Sequence, residues 1–503
     1  MMYIFLIIVY KIKMNEEKKE NNINEKSEII ITEEYYNKCK EQNYIINDFC
    51  NLSKYLRDKD PQIQLKGLVG IRKLCMEEKK KENAKPIYNV LIRYLFDFIK
   101  DYPEEFQYEA LICLINIEVI NIKLNQKIKE IPKKELIDFI FLKLKNTKNL
   151  KLGIIILDVY LKYLKILLSV EKILKEMIPN TINEIILNIM KDYINEPNII
   201  KRCLKIIKKI YDQRDVQNMS TSKGLVIPNY CFQNSIDIIP LLSDIIIKYK
   251  ENIKILKISL IILSDITSDS KENKLNKIIE LNILPKLIEL TDNDNYDIIY
   301  YSLKTIGNFA MNEKSDFTDI LINLNVLEVL KNILEKENEE KNINIRKESS
   351  FIISNIAAGT QNQISKLFEM NFYKLLHNII INEEEGKIKN NCLWAIYNLS
   401  CIENEEYLEQ LIKNGYLTII MNRFNIDYGD TLTCSLEALN NLLKYKKKVN
   451  SPAIFSSADN ELNNLDIFNA LKNLKNKGLE PICKDKINFI LKNYFEVENE
   501  NES

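Results

Sequence analysis

A single histidine, His377, and a single tryptophan, Trp394, occur in 503 residues, alongside only ten glycines and eleven prolines. A lone imidazole removes most zinc sites, Ser/His and Cys/His nucleophile pairs and histidine acid–base chemistry. His377 lies in an apolar-periodic stretch from Phe372 to Ile381, where packing or a surface position accounts for it. Neither G-x-G-x-x-G nor G-K-[ST] occurs, so no glycine-rich phosphate loop is present. Few glycines and prolines argue against a sheet-rich or loop-rich protein and suit long helices. The ten cysteines are scattered and none forms a C-x-x-C pair. Several fall on apolar helix faces, where a thiol acts as a small hydrophobe. That pattern fits a reduced, intracellular protein better than a disulfide framework. Charge of one sign is also missing: Lys+Arg and Asp+Glu are 71 each, which gives no nucleic-acid signal. No catalytic set, metal site or cofactor is expected.

What is present is a composition of 46% hydrophobic and 28% charged residues, enough to bury a large core. Residues Met1 to Tyr10 are the most apolar run, too short to span a bilayer and without a basic flank before them. They read as a surplus start upstream of Met14, with a tail strand that docks nowhere and a weak signal peptide as the other readings. No membrane partner is expected. Residues 1–44 form this apolar start plus a Glu/Lys/Asn-rich tail, 45–495 a helical array, and 496–503 an acidic tail. Loops are expected at 213–234 and 449–460, where Gly224, Pro228, Pro452 and serines cluster.

Two markers recur along the array. Asp265, Asn308, Asn355, Asn398 and Asn441 are separated by 43, 47, 43 and 43 residues. Asn282, Asn325, Asn371 and Gly415 follow at separations of 43, 46 and 44, each just before an apolar helix resumes. Gly and Asn tolerate the left-handed conformation that closes a helix. A helical period of this length is that of armadillo and HEAT repeats, which stack into a superhelix with a long concave surface. The expected fold is all-α, a right-handed superhelical solenoid of about ten armadillo repeats.

Within this register, Phe351 and Asn355 lie four positions apart on one helix, as do Trp394 and Asn398. Glu348 to Ile356 and Asn391 to Leu399 resemble the E-A-x-W-x-x-S/T-N-I inner helices of the importin alpha family of nuclear-import adaptors. Leu303 to Asn308 resembles a repeat of that family with a basic residue, here Lys304, in place of tryptophan. Phe106 to Ala110 is similar to the lead-in to its second repeat, and Ile482 to Phe495 to its last.

The resemblance implies a groove for basic nuclear-localisation-signal peptides, with Lys304, Asn308, Phe351, Asn355, Trp394, Asn398 and Asn116 as peptide-binding residues. Aromatic faces would form slots for lysine stems, each ring–cation contact contributing roughly 0.5–2 kcal/mol. The asparagine amides would bond the extended backbone. Acidic residues around the groove would add attraction. The slots matching the family's second to fourth repeats hold Ile112/Asn116, then about Ile154/Asp158 and about Leu204/Lys208, without aromatics, so binding is expected in the C-terminal half. The implied partners are cargo proteins with Lys/Arg-rich signals, importin beta and an export receptor, and the implied location is cytoplasm and nucleus. The family's basic importin-beta-binding segment is reduced here to Lys18-Lys19 and scattered lysines, so importin beta is not expected to bind through the N-terminus. An armadillo scaffold for another protein partner is the alternative reading.

Overall fold

The computed structural model describes residues 52, 54–76, 94, 95, 97–99, 102–123, 153–158, 181–219, 238–269, 271–336, 340–424, 429–449 and 464–495. The apolar start, the charged tail, the acidic tail and loop residues 220–234 and 450–460 lie outside them. The chain divides into two compact units, 1–228 and 229–503. All regular elements among the described residues are helices, and none is long and apolar enough to cross a membrane.

The first unit contains α1 (Pro61–Met76), α2 (Glu104–Lys123), α3 (Thr181–Asp192) and α4 (Pro197–Met219). Helix α4 continues through Met219, so residues 213–219 of the expected loop are helical. No glycine or proline interrupts the chain between Pro197 and Gly224.

The first unit also holds two costly carboxylates on one face of α2. Glu105 has both oxygens buried without a partner. Glu109 faces Arg72 of α1 at 3.0 Å, yet burial pushes its carboxyl up to about 7 against the attraction of Arg72 and Lys73. The folded state therefore binds a proton that the unfolded chain has already lost. Stability from this group is present below pH 4.5 and is lost as pH rises through about 7, by roughly 3 kcal/mol in all. Urea melts followed by circular dichroism should show Glu109→Gln gaining on the wild type across that window. A pH-independent difference between the two would contradict it.

The second unit is built from three-helix repeats. It opens with α5 (Ile239–Lys248) and α6 (Ile253–Thr267). Four complete repeats follow: α7 (Glu272–Glu280), α8 (Leu284–Glu289) and α9 (Tyr296–Ala310); α10 (Ser315–Asn323), α11 (Val326–Glu335) and α12 (Ile343–Ala357); α13 (Gln361–Glu369), α14 (Phe372–Asn382) and α15 (Gly386–Leu399); α16 (Glu405–Lys413), α17 (Tyr416–Arg423) and α18 (Gly429–Val449). Helices α19 (Asn464–Lys475) and α20 (Pro481–Tyr494) close the unit. This is an all-α solenoid with the armadillo arrangement.

Local sequence explains the breaks. Asn282, Asn325, Asn371 and Gly415 all have positive φ, between 51° and 77°, and turn the first helix of each repeat into the second. The left-handed conformation expected of these markers is therefore present at all four. Asn252, Asn295 and Asn404 cap α6, α9 and α16 with their side-chain oxygens, and Thr360 with Gln363 forms a capping box on α13.

Packing is closest along the third helices, α6, α9, α12, α15 and α18, each of which lies directly on the next. The second helices meet less extensively, so the third helices line the inner side of this unit. One position repeats on them: Ser259, Ser302, Ser349, Cys392 and Ser435 are all 0% exposed. Their separations, 43, 47, 43 and 43, are those of the asparagine marker. Burial pushes the Cys392 thiol up to about 12, so it serves as a small apolar group and not as a nucleophile.

A second clasp joins repeats away from the inner face. Arg346, at the start of α12, donates from Nη1 to the carbonyls of Leu334 and Lys336 at 2.7 and 2.6 Å. Its Nη2 donates to Glu383 Oε2 at 2.7 Å. Glu383 in turn accepts from the backbone N–H groups of Glu384 and Glu385. The guanidinium thus caps the C-terminal end of α11 and ties it to the end of α14, where helix dipoles favour a cation.

Candidate peptide-binding face

The helical register brings four of the predicted side chains together. Phe351 and Asn355 on α12 and Trp394 and Asn398 on α15 occupy corresponding, half-buried positions on adjacent third helices. Lys304 and Asn308 take the same positions on α9, and Glu437 and Asn441 on α18. The Trp394 ring meets buried Tyr397 edge-on, with centroids 6.2 Å apart. Glu348, one turn before Phe351, lies against Gly307 of α9, where an added Cβ would stand 3.0 Å from its carboxyl oxygen. Burial raises its carboxyl above the ordinary value, with Lys304 and Lys387 pulling the other way.

The asparagines do more for the scaffold than sequence reasoning assigned to them. Asn308 is buried and its amide donates to the Ser264 carbonyl at 3.0 Å and the Thr267 hydroxyl at 2.8 Å, both on α6. Asn398 donates to the Ser354 carbonyl of α12 at 3.3 Å. Asn391 repeats the arrangement on the Lys347 carbonyl and Ser350 hydroxyl, at 3.2 and 3.0 Å. Each reaches a carbonyl 44 positions back, one repeat away. Asn355 instead donates to the Phe351 carbonyl of its own helix at 3.1 Å. Asn308, Asn391 and Asn398 thus spend their amide N–H groups on the neighbouring repeat, and what each has left for a peptide backbone is chiefly its accepting carbonyl oxygen.

Charge on this face is largely self-compensated. Lys304 pairs with Asp265 at 3.5 Å, and Lys257 with Asp297, crossing the α6–α9 boundary in both directions. Lys347 pairs with Glu385 at 3.2 Å and Lys486 with Glu437. The expected acidic surround is thus weaker than the count of carboxylates suggests.

In the first unit, Asn116 falls on α2, but its side chain lies outside the described residues. Asp158 forms a two-pronged pair with Arg202, both contacts at 2.8 Å. Leu204 is 0% exposed, so it is a core residue and not a groove position. Glu348 and Asn391 stand in the sequence only as the starts of the two matched motifs, and Arg346 and the small-residue stripe carry no expectation there. The stripe shared the asparagine spacing and was visible on that ground, whereas Arg346 sits at a single, unrepeated position. His377 is half-buried and stacks on Tyr416, with centroids 6.3 Å apart.

No known family profile matches the chain. Over 97 residues it is 32% identical to importin subunit alpha-1a of Oryza sativa subsp. japonica, a match spanning 19% of this chain and 18% of that protein. An engineered protein from the Northeast Structural Genomics Consortium shares the fold, with a TM-score of 0.60 at 13% identity, covering 89% of this chain and 99% of that one. A designed armadillo repeat protein in complex with peptide (KR)4 aligns at 22% identity over 50% of this chain and 98% of its own, with a TM-score of 0.41.

Proposed function

We propose that the third-helix face of the second unit holds an extended peptide segment bearing Lys or Arg side chains. On this reading the chain is a cargo adaptor of the nuclear-import type, binding localisation signals and working between cytoplasm and nucleus. The observation that carries it is the pairing of Phe351/Asn355 with Trp394/Asn398 on adjacent inner helices, in one register. Two aromatic faces one repeat apart suit the stems of basic side chains. The partial likeness to an importin alpha subunit supports the same reading.

A fluorescein-labelled Lys-rich signal peptide, titrated into the whole chain by polarisation, tests this. The double variant Trp394→Ala/Asn398→Ala should weaken binding by at least about tenfold. Its circular dichroism should remain that of the wild type. Equal affinity in the two proteins would remove the site assignment. Importin beta is not expected to bind through residues before Asn47, and a pull-down lost on deleting them would contradict this.

A second reading, an armadillo scaffold for a different protein partner, draws on the crossed pairs Lys257–Asp297 and Lys304–Asp265. They neutralise the carboxylates that would attract a strongly basic ligand. A wild-type chain that ignores basic peptides at about 0.15 M salt would favour it.

A further inference from the structure

A cleft of about 660 Å³ opens between the second helices α11 and α14, away from the third-helix face. Lys331 and Lys336 border it from the α11 side, and Lys374 from α14. None of the three ammonium groups forms an ion pair among the described residues. Asn378 and Asn382 add side-chain amides one turn apart along α14. Arg346 also lines the cleft. It is 4% exposed, and its Nε–H is the one guanidinium donor nitrogen left without a partner. Its charge is balanced by Glu383. Glu335 and Glu384 also border the cleft, so three lysines face two unpaired carboxylates and the balance is positive.

We propose that this cleft binds a phosphate-class oxyanion. Three lysines without ion-pair partners line one cleft, the Lys374 ammonium resting 5.6 Å from the Tyr373 ring centroid, and lysine acts on a multiply charged anion as a point charge. Amide N–H groups from Asn378 and Asn382 complete a donor-rich lining. The same chemistry is carried by free phosphate and by a phosphorylated side chain of another protein, and the two are separable by experiment.

Isothermal titration of the whole chain, at about 0.15 M salt, compares three probes: inorganic phosphate, a phosphoserine peptide, and the same peptide unphosphorylated. The phosphate-bearing probes should bind saturably and the unphosphorylated peptide should not. Lys331→Ala/Lys374→Ala should weaken that binding by at least about tenfold. Lys374 is exposed and Lys331 half-buried, and neither forms an ion pair, so the thermal midpoint should move little. A phosphoserine peptide at least about tenfold tighter than inorganic phosphate identifies a phosphorylated side chain as the ligand, and equal affinities identify a free oxyanion. The proposal is overturned if neither phosphate-bearing probe binds, if the lysine variant binds as the wild type does, or if the unphosphorylated peptide binds equally.

Discussion

Replacing Arg346 with alanine is expected to destabilise the second unit by about 3–5 kcal/mol, the range for breaking a buried pair from one side. Arg346 and Glu383 are 4% and 6% exposed, so the orphaned carboxylate would be left largely dehydrated without its charge partner. The carbonyls of Leu334 and Lys336 would lose their donor as well. Burial by itself raises the Glu383 carboxyl, but the Arg346 guanidinium and the N–H groups of Glu385 and Glu384 outweigh it and hold it below the ordinary value. That lowered value adds stability above the unfolded pKa of 4.5, and the contribution is lost as pH falls through the folded value. Arg346→Ala should therefore flatten the acid limb of the stability profile as well as lower its plateau. Removing both partners, in Arg346→Leu/Glu383→Leu, should restore most of the loss, since an apolar pair leaves no charge buried. Urea unfolding of the three proteins between pH 3 and 8 measures all of this (the range spans the carboxylate pKa values, roughly). A double variant less stable than the single one would show that the clasp is not the source of the effect.

Ser349→Leu is expected to cost about 1–3 kcal/mol or more through overpacking, whereas Ser349→Ala should be neutral or stabilising by about 1 kcal/mol. Ser349 is 0% exposed and its hydroxyl has no partner, so the oxygen contributes size without a hydrogen bond. The two variants separate volume from polarity at one site. Thermal melts by circular dichroism give the comparison. A destabilised Ser349→Ala would mean that the hydroxyl is hydrogen-bonded in solution. Peptide affinity in Ser349→Leu reports whether the rungs on either side keep their spacing.

Much of the fold was legible because its punctuation is chemical. Asn282, Asn325, Asn371 and Gly415 needed left-handed backbone, and few residue types supply it. Their spacing fixed the repeat before any helix was placed. The candidate face was legible in part, because Phe351 and Trp394 are aromatics recurring at that same spacing on one helix face. What the sequence hid was how many groups on that face are already engaged. Asn308 looked like a peptide ligand but reaches 44 positions back to Ser264, and Lys304 is drawn to Asp265. A one-dimensional pattern locates such side chains but does not count the partners that the neighbouring repeat delivers. Leu204 failed for another reason: the first unit keeps the period less strictly, so a shift of one or two residues moves a side chain from face to core.

The braces from Asn308, Asn391 and Asn398 all lie on the third helices, while α11 and α14 are tied to each other chiefly by the Arg346 clasp. Other ties lie off the third helices: Gln363 of α13 donates to the Ser315 carbonyl and Asp319 of α10, and the Tyr416 hydroxyl of α17 donates to the Tyr373 carbonyl of α14. A ligand lodged between α11 and α14 would sit against Arg346, so binding there would add its free energy to the stability of the clasp that joins the two helices.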